Sequence, residues 1–84
     1  MASEFERIKV DRFRFLKSLY DKAGGSEHGW FSTWEISKEL GLSEQEVHPL
    51  VDCLIDEGLI FLRPFDGLVG ISRKGIVEVE KGRS

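Results

Sequence analysis

From position 11 onward, apolar side chains recur at spacings of three and four: Phe13, Leu16, Leu19, Tyr20 and Ala23, with Arg14, Lys17, Ser18 and Asp21 on the other side. That period predicts an amphipathic helix burying one stripe. Carried back over residues 1–10, the helix would put Lys9 and Arg12 inside its apolar arc. The helix is therefore expected to start near Asp11 as N-cap, leaving residues 1–10 as an arm free to be flexible. Gly24-Gly25 ends it, since glycine tolerates the left-handed conformation just past a helix, and residues 26–29 continue as a polar loop.

The bulky pair Trp30-Phe31 reads as a brief extended segment, and two helix-start signals follow it. Ser32-Thr33-Trp34-Glu35 and Ser43-Glu44-Gln45-Glu46 each place a serine oxygen to accept from a backbone N–H three residues on, with a glutamate there to answer the serine's own N–H. The first starts a helix over about 33–40, offering Ile36 and Leu40 inward and stopping at Gly41. The second starts one over about 44–57, offering Val47, Leu50, Val51, Leu54 and Ile55 and stopping at Gly58; Pro49 near its beginning is expected to kink or delay it. After Gly58 the period shortens. Residues 59–63 and 68–71 are apolar runs flanking Pro64-Phe65-Asp66-Gly67, a β-hairpin pattern with proline and Asp-Gly as turn residues. Ser72 then caps a short helix over about 73–81, with Ile76, Val77 and Val79 as its apolar content, and residues 82–84 form a tail.

The expected fold class is α+β, mainly helical, in one domain over residues 11–81. Helix, brief strand, helix, turn, helix, hairpin is the order of the winged helix. Three stretches resemble that family at matching places: residues 35–43, where Gly41 permits a tight inter-helix turn and Leu42 plugs it; Leu54-Ile55-Asp56-Glu57-Gly58-Leu59-Ile60, at the passage into the wing; and Ile71-Ser72-Arg73-Lys74-Gly75-Ile76, similar to the exit from the wing in MarR-like and PadR-like regulators. Trp34 and the ending at residues 75–80 also look like small uncharacterised prokaryotic winged-helix proteins. The resemblance implies a winged helix-turn-helix with a three-helix core, a β-hairpin wing and a short C-terminal helix. It further implies a non-catalytic module of transcription-regulator type, with the second helix of the motif in the major groove of DNA and the wing on the backbone. Carried over, the nucleic-acid-binding candidates are Gln45 and His48, beside Ser43, Glu46 and Pro49, together with Arg63, Arg73 and Lys74 around the wing. Phe65 lies at the wing turn.

Charge alters that expectation. Between Ser43 and Gly58 stand Glu44, Glu46, Asp52, Asp56 and Glu57 and no lysine or arginine. Most DNA affinity comes from protein cations displacing phosphate counterions, so an acidic helix opposes major-groove docking. Glu44 and Glu46 also have a structural role, meeting the positive end of the helix dipole. Positive charge gathers elsewhere: six cations against four acids in residues 1–22, and five against three in residues 59–84. Any duplex DNA contact is thus expected to be weak and led by the wing, with Arg63 at the base of the wing and Arg73 and Lys74 after its second strand converging on one backbone segment. The alternative is a winged helix that binds a protein and no DNA, with Trp34 and Phe65 as interface anchors if they are exposed. Packed instead, Trp34 would cover the first helix and Phe65 the hairpin.

Other chemistry has little support. His28, His48 and Cys53 lack metal-ligand spacing, so neither a metal nor a catalytic residue is expected. The glycines form no phosphate-binding fingerprint, and no cofactor is expected. At 84 residues there is room for one core. One cysteine excludes an internal disulfide and favours a reducing cytoplasm, while leaving open a homodimer linked or unlinked through that thiol. No run approaches the roughly 18 apolar residues of a membrane helix.

Overall fold

A computed structural model describes residues 4–63 and 65–82, so the readings of residues 1–3, of Pro64 in the turn and of the tail at 83–84 lie outside the described residues. The described elements run α1 (Glu4–Ala23), β1 (Phe31–Ser32), α2 (Thr33–Leu40), α3 (Glu44–Asp56), β2 (Ile60–Arg63), β3 (Leu68–Ile71) and α4 (Arg73–Gly82). The fold is α+β: helices around a small antiparallel sheet of strand order β1-β3-β2. Pairing of Ile60 with Ile71 and of Arg63 with Leu68 sets the hairpin register, and Phe31 opposite Val69 adds the third strand.

The α1 helix begins at Glu4, not near Asp11. Arg12 is no obstacle, because Glu57 at the end of α3 meets its guanidinium in an ion pair. Asp11 is an interior residue whose carboxylate accepts from Arg14 at 3.0 Å. The phase of the stripe also differs from expectation. Phe15, Leu16 and Leu19 are fully buried, whereas Phe13 is half-buried, its ring lying against Gly82 at the end of α4.

The α2–α3 junction follows from its residues. Gly41 adopts φ +71°, which lets its own N–H and that of Leu42 return to the Lys38 and Ser37 carbonyls, and Leu42 is buried beneath the turn. At the start of α3 the capping box is complete: Ser43 Oγ accepts from Glu46 N–H at 3.2 Å and Ser43 N–H donates to Glu46 at 3.1 Å. At α2 only the forward half forms, Ser32 Oγ accepting from Glu35 N–H. Pro49 does not delay α3, which starts at Glu44 and continues through it.

One core joins these elements: Phe15, Leu16 and Leu19 of α1, Ile36 of α2, Val47, Val51 and Leu54 of α3, Leu59 and the strand residues Ile60, Val69 and Ile71, and Val79 of α4. Leu40, Ile55 and Ile76 pack at its margin. Val77, expected to contribute, is exposed.

The hairpin base is where the backbone comes closest. Ser72 N–H donates to the Leu59 carbonyl at 3.0 Å, its hydroxyl donates to Gly58 O at 2.6 Å, and the same oxygen accepts from Gly75 N–H at 3.0 Å as the cap of α4. A Cβ on Gly75 would run into the Leu59 carbonyl oxygen and lie 2.8 Å from the Ile71 side chain. Glycine is required there for space.

Two stability predictions follow from this packing. Leu54→Ala should lower the unfolding free energy by about 2–5 kcal/mol, the usual range for a large core truncation. Gly75→Ala should cost about 1–3 kcal/mol or more through overpacking against backbone. Urea titration followed by tryptophan fluorescence measures both, and an unchanged midpoint for either would mean α3 or α4 is packed otherwise.

Candidate functional site

The surface formed by the N-terminal end of α2, the outer side of α3 and the hairpin carries most of the candidate residues. Gln45 and His48 stand exposed on α3, as do Glu44, Pro49 and Asp52. Ser43 and Glu46 are occupied with each other in the capping box, which removes them as free readers of a ligand.

The three cations expected to converge do not. Arg63 is opposite Leu68 at the turn end of the hairpin, while Arg73 and Lys74 follow Ile71, whose partner Ile60 marks the other end. Three residue steps along the strand separate the two ends, about 10 Å at 3.3 Å per step. Arg63 pairs with Asp66 at 3.2 Å, and its guanidinium lies 5.3 Å from the centre of the Trp30 ring. Lys74 donates to the Glu57 carbonyl at 2.9 Å, filling an acceptor left open at the end of α3. Arg73 is exposed and borders a cavity formed with the loop after α1, beside Glu27, His28 and Glu80. The expected single cationic path along the wing is therefore absent; its members point to separate tasks.

Both interface candidates are exposed. Phe65 is 99% accessible at the hairpin tip, and Trp34, in the first turn of α2, is 56% accessible. The tip is tied to α2, since Thr33 donates to the Gly67 carbonyl from its backbone N–H at 3.3 Å and from its hydroxyl at 2.7 Å. Trp34 is thus fixed next to the turn that carries Phe65.

Between α3 and the hairpin runs an open groove of about 600 Å³. Val47, Val51 and Leu62 give it an apolar floor, Trp34 also lines it, and Glu44, Asp52 and Asp66 stand at its border with His48 between the first two in sequence. Asp66 is paired with Arg63, but among the described residues no cation is paired with Glu44 or Asp52.

Sequence reasoning missed the groove and two further aromatics. Leu62, 41% exposed, belongs to a run of adjacent apolar residues that reads as wholly buried, and nothing in the run says which face is open. Phe61 and Trp30 sit on the outer sheet face on either side of Gly70, both exposed. Asp52 was counted as charge but its place on the groove side of α3 depends on where the hairpin lies.

Among the described residues, no three His, Cys, Asp or Glu side chains gather as a metal site. Cys53 is half-buried, its sulfur 3.9 Å from a Glu57 carboxylate oxygen. No described helix is long and apolar enough to cross a membrane. Neither a protein-family model, nor a curated protein, nor a solved structure matches this chain closely enough to lend it a family or a function.

Proposed function

We propose that the chain is a winged helix-turn-helix module whose work is protein–protein contact. The order α1-β1-α2-α3-β2-β3, the tight Gly41 turn and the β1-β3-β2 sheet support the winged-helix part of this reading. The observation that carries the contact part is the character of the face made by α3 and the hairpin. A DNA-binding winged helix presents cations there; here α3 bears acids alone, and the neighbouring exposed groups are Trp34, Leu62 and Phe65.

Magnitudes favour a protein over a duplex. Each phosphate contact depends on a cation that replaces a counterion. Arg63 and Lys74 are each already engaged, and they lie at opposite ends of the hairpin. Among interface residues, by contrast, the few whose truncation to alanine costs about 2 kcal/mol or more are enriched in tryptophan and other large aromatics seated in a partner's pocket. Weak wing-led binding of duplex DNA, the transcription-regulator role, is the competing proposal, and Arg63 with its aromatic neighbour is the observation on its side.

The two separate by salt. Titration of a mixed-sequence duplex into the domain at two ionic strengths should give a dissociation constant no tighter than about 10⁻⁴–10⁻⁶ M at physiological salt. Nanomolar binding that weakens steeply with salt would overturn the protein-contact reading. Random peptides displayed and selected on the immobilised domain should in turn yield binders that lose at least about tenfold in affinity on the double change Trp34→Ala and Phe65→Ala, a loss within the range of one hot-spot residue. The melting temperature should barely move, since both side chains are exposed.

A further inference from the structure

The groove between α3 and the hairpin is specific enough to name a partner class, an inference that rests on the protein-contact reading. We propose that it receives a basic, apolar peptide segment of a partner protein: apolar side chains on the Val47–Val51–Leu62 floor, and a lysine or arginine at each end, against Glu44 and Asp52. The one-sided charge of the border is the argument. Glu44 and Asp52 are exposed, both border the groove, and neither is paired with a described cation.

An acid held only for helix stability needs no groove beside it. Glu44, in the first turn of α3, has such a role with the helix dipole. Asp52 has none: it lies two turns further along, where the dipole no longer acts, and makes no described hydrogen bond to its own helix. The eight residue steps from Glu44 to Asp52 span about 12 Å of helix axis at 1.5 Å per step. That separation suits two cations about four residues apart on an extended segment, at 3.3 Å each. Between them such a segment turns alternate side chains to one side, where the floor is apolar. Trp34 also lines the groove and supplies the large aromatic surface that interface centres favour. An acidic segment would meet only repulsion along this border, so the charges select as well as attract.

The test uses displayed random peptides of about twelve residues, selected on the intact domain, and two altered domains. In one, Glu44→Lys and Asp52→Lys reverse the border; in the other, Leu62→Glu puts a charge on the floor. All three positions are exposed, and a thermal melt of each variant checks that it folds. Enriched peptides should carry lysine or arginine flanking an apolar stretch, and should shift the amide resonances of Val47, Val51 and Leu62 on binding. Both variants should weaken them at least tenfold. Replacing the peptide cations by glutamate should restore binding to the Glu44→Lys, Asp52→Lys domain, an exchange that a merely structural role for the acids would not produce. Enriched peptides that are neutral or acidic, or that shift residues around Trp30 and Phe61 and ignore both variants, would overturn the groove proposal while leaving the protein-contact reading intact. No enrichment on the intact domain would overturn both.

Discussion

The close approach of the Gly58–Leu59 backbone to the first turn of α4 holds the rest of the molecule in place. At this point the end of α3, both hairpin strands and the start of α4 share one set of hydrogen bonds, with the Ser72 hydroxyl on Gly58 O at 2.6 Å and Ser72 N–H on Leu59 O at 3.0 Å. Only a residue without a side chain fits at position 75, because the Leu59 carbonyl occupies the space of a Cβ. The contact joins the segment that leaves α3 to the base of the hairpin. Beyond it, α3 and the hairpin line the two sides of the groove. Lys74 on the Glu57 carbonyl and Arg12 on the Glu57 carboxylate extend the same junction to α1.

Cations that look available from the sequence are drawn into this framework. Lys74 terminates α3, Arg12 balances the last acid of the α3 segment, Arg14 donates to the Leu40 carbonyl at 3.2 Å, and Lys22 pairs with Glu39 at 2.7 Å. Each joins one element to another. Exposed pairs of this kind add little stability singly, but they fix where charge is left over. The excess that remains on the α3–hairpin face is negative, and it lies beside apolar surface.

Much of the fold was legible because its signals are local. Ser32 and Ser43 mark helix starts, Gly41 and Gly58 mark ends, and the change from a period near four to runs of adjacent apolar residues marks the strands. The observed α2 and β3 agree with those marks at both ends. Errors arose where a distant residue changes the meaning of a local pattern. Arg12 breaks an apolar arc in sequence, yet Glu57, far along the chain, answers it, so α1 continues back to Glu4. Phe13 and Phe15 both have the hydrophobicity of core residues, yet Phe15 is fully buried while Phe13 lies half-buried against Gly82 at the end of α4.

The candidate site was legible in composition but not in arrangement. That α3 is acidic, and that Trp34 and Phe65 are candidates for an interface, can be read residue by residue. That Arg63 and Lys74 sit at opposite ends of the hairpin follows from the strand limits and was open to reading, but that each is held by a separate partner, Asp66 for Arg63 and the Glu57 carbonyl for Lys74, was not, because the Glu57 partner lies far from Lys74 along the chain. A strand shifted by one residue would turn Leu62 away from α3 and present Phe61 in its place, exchanging an aliphatic floor for an aromatic one. The chemistry offered to a partner is therefore set by the hairpin register as much as by the residues themselves. The Thr33–Gly67 bonds hold that register at the tip, as the Ser72 bonds hold it at the base.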